Sequence, residues 1–183
     1  MNKSTQLKYN RICIEAITLF GIANQSEMLV EECAESIMAV QKLKRAEEIT
    51  YKNILSQNNL ISRQDNFAEE IADVKIMINQ FYLTDINLKH KVDFYCDTYE
   101  PSSVVFKGIN TKEIKKILSE ELIINCSKLI TLIQKIKLLD NSEYFKSLFK
   151  NDFAIDIADL KNTIEHLYAL DKDLRKSIDS YYK

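Results

Sequence analysis

Gly21, Pro101 and Gly108 are the only glycines and the only proline in a chain of 183 residues. In a helix interior these residue types cost most, about 1 kcal/mol for glycine and about 3 for proline. Spaced so far apart, they leave long stretches in which nothing interrupts an i to i+4 hydrogen-bond ladder. Ile, Leu, Lys, Glu and Asn fill those stretches, so the expected fold is all-α. Gly21 is expected to end a first helix over about residues 7–20, with Tyr9, Ile12, Cys13, Ala16, Ile17 and Phe20 as its apolar stripe. Pro101 and Gly108 fall together in residues 98–110, which read as a linker between residues 1–97 and 111–183. The two parts are expected to pack as one globular unit.

Between these breakers the helical pattern continues. Ser26 is the expected N-cap of a second helix, which ends in Lys42, Lys44 and Arg45, cations suited to a helix C-terminus. Residues 47–64 are polar, Asn-rich and weakly patterned, and read as a loop with room for a helical turn. A third helix follows from a cap at Asp65 or Asn66, and a fourth covers about 85–97. Beyond the linker, helices are expected over 111–139, 142–149, 152–170 and from there to about Tyr182.

The second and third helices carry the chemistry. Around Glu31, Glu32 and Glu35, the residues Met28, Leu29, Val30, Cys33, Ala34, Ile37, Met38, Ala39, Val40 and Leu43 cover most of the helix circumference. A helix apolar nearly all round is normally buried. Glu31 and Glu35 share one stripe of it, with Glu32 beside them. Clustered carboxylates that lose hydration repel one another at several kcal/mol each unless something positive joins them. Glu70 and Asp73 repeat the situation among Ile71, Val74, Met77, Ile78 and Phe81. Oxygen ligands without histidine or cysteine nearby favour a hard cation, Mg²⁺ or Mn²⁺. A di-iron bundle site would need Glu-x-x-His pairs, and neither His90 nor His166 stands three residues after a glutamate.

The second half reads as a worn copy of the first. An offset of 93 residues aligns Glu27, Leu29, Cys33, Gln41 and Lys42 with Glu120, Leu122, Cys126, Gln134 and Lys135. An offset of 86 aligns Phe67, Ala68, Ile71, Ala72, Asp73, Lys75, Ile78 and Tyr82 with Phe153, Ala154, Ile157, Ala158, Asp159, Lys161, Ile164 and Tyr168. Such matching implies internal duplication. The acids have not been kept: Glu31, Glu32 and Glu35 become Ile124, Asn125 and Lys128, and Glu70 becomes Asp156. One active half and one retired half are expected.

Charge and composition narrow the partners. A formal charge of −2 gives no electrostatic case for a nucleic-acid polymer or an anionic membrane. No apolar run approaches a spanning helix, and the start, Met-Asn-Lys-Ser-Thr-Gln, has no signal-peptide core. Cys13, Cys33, Cys96 and Cys126 are scattered without a CxxC, and read as reduced thiols of a cytoplasmic protein.

Glu31-Glu32-x-x-Glu35, a spacer, then Glu70-x-x-Asp73 resembles the EExxE…ExxD signature of the all-α nucleoside triphosphate pyrophosphohydrolases. That superfamily includes MazG-like proteins and dimeric dUTPases. The flanks Met-Leu-Val-Glu-Glu-Cys-Ala-Glu-Ser and Ala-Glu-Glu-Ile-Ala-Asp-Val-Lys-Ile-Met look similar to short MazG-like proteins. The resemblance covers residues 7–97, and the rest only through the internal copy. It implies a four-helix module that works as a dimer, here with both halves in one chain as a pseudo-dimer. It further implies that Glu31, Glu32, Glu35, Glu70 and Asp73 bind Mg²⁺, and that a metal-activated water cleaves a nucleotide between its α and β phosphates. The products would be a monophosphate and pyrophosphate. Lys44, Arg45 and Lys75 are candidates to touch phosphates, and Gln25, Asn79 and Gln80 to read a base. The expected assembly is a monomer or homodimer. The competing expectation is a non-catalytic helical module that binds a nucleotide or a protein partner.

Overall fold

The computed structural model describes residues 3–51, 57–98, 106, 108–138 and 143–181. Six helices account for nearly all of them: α1 (Lys3–Tyr51), α2 (Gln57–Thr84), α3 (Ile86–Thr98), α4 (Thr111–Leu138), α5 (Glu143–Leu170) and α6 (Lys172–Tyr181). Among the described residues there is no strand, and no helix is long and apolar enough to cross a membrane. The chain is all-α.

The helices are longer than the apolar pattern predicts. Gly21, at φ 75° and ψ 161°, is non-helical and divides α1 into two helical segments across a kink, so the first segment does end there. Such backbone is open essentially to glycine alone. Ser26 is not an N-cap; its hydroxyl donates to the Ile22 carbonyl at 2.9 Å, inside the resumed helix. The expected loop over 47–64 is helical at both ends, since α1 runs to Tyr51 and α2 starts at Gln57, while 52–56 lie outside the described residues. The Glu, Arg and Gln residues here are good helix formers, and extending an established helix costs far less than nucleating one. Pieces expected at 142–149 and 152–170 join as α5 for the same reason.

Within the expected linker, α3 ends at Thr98, and 99–105 and 107, Pro101 among them, lie outside the described residues. Gly108 adopts φ 89° in a turn closed by Ile109 N–H donating to the Phe106 carbonyl at 3.1 Å. Asn110 then caps α4, accepting from Glu113 N–H at 3.0 Å while its amide donates to the Glu113 carboxylate at 2.8 Å. Asp85 and Asp171 cap α3 and α6 in matching fashion, each accepting from the backbone two and three residues on.

α2 returns along α1, and α5 along α4. The pairs meet through α1 against α4, while α3 packs on α5 and α6 packs on α2. One continuous core results, with Leu29, Cys33, Ile71 and Val74 from the first half against Leu122, Leu129, Ile157 and Leu160 from the second. Each fully buried Leu or Ile contributes about 1.5–3 kcal/mol. The cysteines are free thiols, and those of Cys33 and Cys126 meet where α1 packs on α4.

Cross-half polar contacts come in matched pairs. Lys44 reaches Glu120 at 3.0 Å, and Lys137 reaches Glu27 at 2.6 Å. The 93-residue offset converts one pair into the other. Lys75 lies over the Tyr168 ring at 4.2 Å and Lys161 over the Tyr82 ring at 5.8 Å, related by the offset of 86. Surface ion pairs contribute little stability, so these mark register more than they hold the halves together.

Candidate metal centre

The acids are brought together by small residues at the α1–α2 contact. Leu29, Cys33, Ser36 and Val40 bury one stripe of α1, and Ala68, Ile71 and Ala72 line the facing stripe of α2. Ser36, fully buried, donates its hydroxyl to the Glu70 backbone carbonyl at 3.2 Å. Side chains this small let the helices approach closely, and the carboxylates flanking the stripes have nowhere to diverge. Oxygens of Glu32, Glu70 and Asp73 lie within 4.8 Å of one another, each residue half-buried.

Glu35 is half-buried and acts on Glu32, Glu70 and Asp73 alike. Glu31 is exposed at the edge and has the weakest of the influences on Glu32. Burial first, then Asp73, Glu35, Glu70 and Glu31, push the Glu32 carboxyl up to about 7. Burial and Glu35 raise Glu70 even though the Asn66 amide donates to its carboxylate at 2.8 Å. Burial, Glu69 and Glu35 raise Asp73. The charges that weigh most on these three residues are carboxylates.

At the corresponding place on α4 and α5 the situation is reversed. Lys128, which stands for Glu35, approaches Asp159 at 3.6 Å, and it opposes the rise that burial imposes on Asp156. Asn125, which stands for Glu32, donates to Thr163 at 3.1 Å. An open groove of about 640 Å³ runs beside them, lined by Ile123, Ile124, Lys128, Lys135, Asp152 and Asp156 among others.

Lys44 and Lys75 are engaged with Glu120 and with Glu165, the latter at 3.3 Å. Exposed Arg45 donates to the Gln41 carbonyl at 3.2 Å. Gln25 is buried, Asn79 is half-buried beside the Tyr9 phenol, and Gln80 is buried with its side-chain oxygen unpartnered. Three residues enter the picture that sequence reasoning passed over. Ser36 and Asn66 support Glu70, and Tyr181 on α6 feels Glu69, Asp65 and Asp73. A signal for the last existed: the 86-residue offset continues through Asp85/Asp171, Leu88/Leu174, Asp93/Asp179 and Tyr95/Tyr181.

No protein-family model, curated protein or solved structure matches this chain. The site therefore has to be read from its own residues.

Proposed function

We propose that the chain is a Mg²⁺-dependent nucleoside triphosphate pyrophosphohydrolase of the MazG-like kind, with one working half and one retired half. The Glu32–Glu70–Asp73 triangle carries the reading: half-buried oxygen ligands from two helices, crowded by neighbouring carboxylates. Such an arrangement opposes folding until a cation joins it. An all-oxygen donor set fits Mg²⁺, with Mn²⁺ as the alternative.

Glu32, Glu35, Glu70 and Asp73 would hold the cation, with Glu31 at its exposed edge. Bound there, the cation would neutralise phosphate oxygens and lower the pKa of a water toward neutrality. The chain's own groups supply the positioning. Ser36 fixes the Glu70 backbone, and Asn66 occupies one oxygen of its carboxylate and so orients the other. A glutamate of the set serves as base for the attacking water. In the retired half the Lys128 ammonium stands beside Asp159 in the cation's place, and that half needs no metal.

The matched contacts support a pseudo-dimer. Exchange of halves turns Lys44–Glu120 into Lys137–Glu27, the packing of α3 on α5 into that of α6 on α2, and leaves Cys33–Cys126 on itself. The substrate is a (d)NTP or a related nucleotide cut between its α and β phosphates, in nucleotide-pool housekeeping or control.

The deciding experiment measures pyrophosphate release from canonical and modified (d)NTPs, with Mg²⁺ and with EDTA. Mg²⁺-dependent release that disappears in Glu32→Gln is the expected result. A folded protein that releases none, yet gains thermal stability from nucleotide, would make it a binding module instead.

A further inference from the structure

In the second half, the surface that corresponds to the acid site has turned from acidic to apolar. The offsets of 93 and 86 set Ile124 on Glu31 and Ile155 on Glu69, two exposed glutamates of the first half. The isoleucines are exposed as well, at 53% and 38%. They line the open groove between α4 and α5, together with Ile123 and Leu132. Along α4, Ile124, Lys128, Thr131, Lys135 and Leu138 keep to one stripe, and Leu138 at its end is 86% exposed. Large apolar side chains standing in water where the other half carries glutamates mark a surface that something covers.

The charges of this face are sorted by helix. Lys128 and Lys135 line the groove from α4, and Asp152 and Asp156 line it from α5. Lys128 stands level with Asp159, at 3.6 Å. Because α5 runs back along α4, two turns further on Lys135 comes level with Asp152. Among the described residues neither Lys135 nor Asp152 has an ion-pair partner. The face is therefore neutral in sum, cationic along one edge and anionic along the other. Such a face is complementary to itself. A two-fold axis parallel to the helices lays α4 of one copy over α5 of the other. Lys135 then meets the partner's Asp152 and Lys128 the partner's Asp156, each pair occurring twice, with the isoleucines between the four helices. The first half is barred from the same pairing, since Glu31, Glu35, Glu69 and Glu70 would set carboxylates against carboxylates.

We infer that the α4–α5 face of the second half is a homodimer interface, its occupant the same face of a second copy of this chain. From Ile124 to Leu138 the helical rise gives a patch roughly 20 Å long and two helices, roughly 20 Å, wide. Pairing two such patches covers about 900 Å² in total, in the range of weak, reversible association. The acids of α1 and α2 take no part, so the dimer stands whether or not they hold a cation.

Sedimentation equilibrium of the full chain over a concentration series tests this. A reversible monomer–dimer equilibrium with a Kd of about 1–100 μM is expected. Ile124→Glu and Ile155→Glu restore the residue types of the first half and should each raise Kd about tenfold or more. Both sites are exposed, so circular dichroism and the urea midpoint should stay as in the parent. Lys135→Glu and Asp152→Lys should each weaken the dimer, because like charges then face one another twice. Mixing these two variants in equal amounts should restore it, since every contact across the mixed pair joins opposite charges. A parent that stays monomeric throughout, or a dimer indifferent to Ile124→Glu, would overturn the interface. A mixture no tighter than its separate components would overturn the two-fold pairing of Lys135 with Asp152.

Discussion

Glu32 carries the heaviest electrostatic load in the molecule's acid cluster, and its behaviour without metal is a direct consequence. Its folded-state carboxyl is raised to about 7 from an ordinary 4.5. The folded state therefore binds that proton more tightly than the unfolded chain does between these values. Metal-free stability should rise as pH falls from 8 toward 5 and be lost as pH climbs through 7. After allowance for solvent screening of a half-exposed group, the change is about 1–2 kcal/mol. Urea unfolding in EDTA across that pH range measures it, and saturating Mg²⁺ should flatten the dependence. Glu32→Gln removes the charge while keeping the shape. At pH 8 in EDTA it should be at least as stable as the parent, and it should no longer gain stability from Mg²⁺. A loss of metal-free stability in Glu32→Gln and Asp73→Asn alike would mean these acids serve the fold, not a cation.

At the scale of the helix, Gly21 decides where the first arm of α1 lies. No side chain would collide with anything there, since nothing comes within 4 Å of a Cβ built at that position. The obstacle is the backbone conformation itself, at φ 75° and ψ 161°. Gly21→Ala should therefore cost about 1–3 kcal/mol in urea unfolding through strain alone. A change of a few tenths would show that the arm can straighten freely. Sequence pattern found this position because a lone glycine interrupts an apolar stripe, and the first helical segment ends there. It misplaced the start of the next segment, since Ser26 lies inside it with its hydroxyl spent on the Ile22 carbonyl. The reading of 47–64 as a loop with a helical turn missed the helical ends of that stretch on different grounds. Periodicity detects a buried face, and these solvated turns have little face to bury, although Leu60 is half-buried and the residue types suit a helix.

Across the whole molecule, the halves share one core and should unfold as one. Leu129 is fully buried on α4, in the second half of the chain. Leu129→Ala should cost about 2–5 kcal/mol and lower the stability of the acid half equally. Circular dichroism and tyrosine fluorescence should then report a single coincident urea transition, and separated transitions would mean the halves fold independently. Thiol chemistry reads the same core. Cys13, Cys33 and Cys126 are at most 1% exposed, Cys96 is half-exposed, and burial raises both Cys13 and Cys96. With an aromatic disulfide reagent, Cys96 should react first in the native protein, and the other three on the timescale of unfolding.

The all-α class was legible in the residues because breaker spacing is a local signal, and offset identities and carboxylates within an apolar helix pointed to the proposed duplication and acid site in the same self-comparing way. Tertiary structure decided which acids converge. Glu32, Glu70 and Asp73 close a triangle because Ser36, Ala68 and Ala72 let α1 and α2 approach, while Glu31 stays outside on the exposed edge. It also paired Lys44 and Lys75 each with a carboxylate on the opposite half. Helical periodicity places a residue on a face of its own helix. What stands across from that face depends on packing between segments about a hundred residues apart, as where α6 packs on α2.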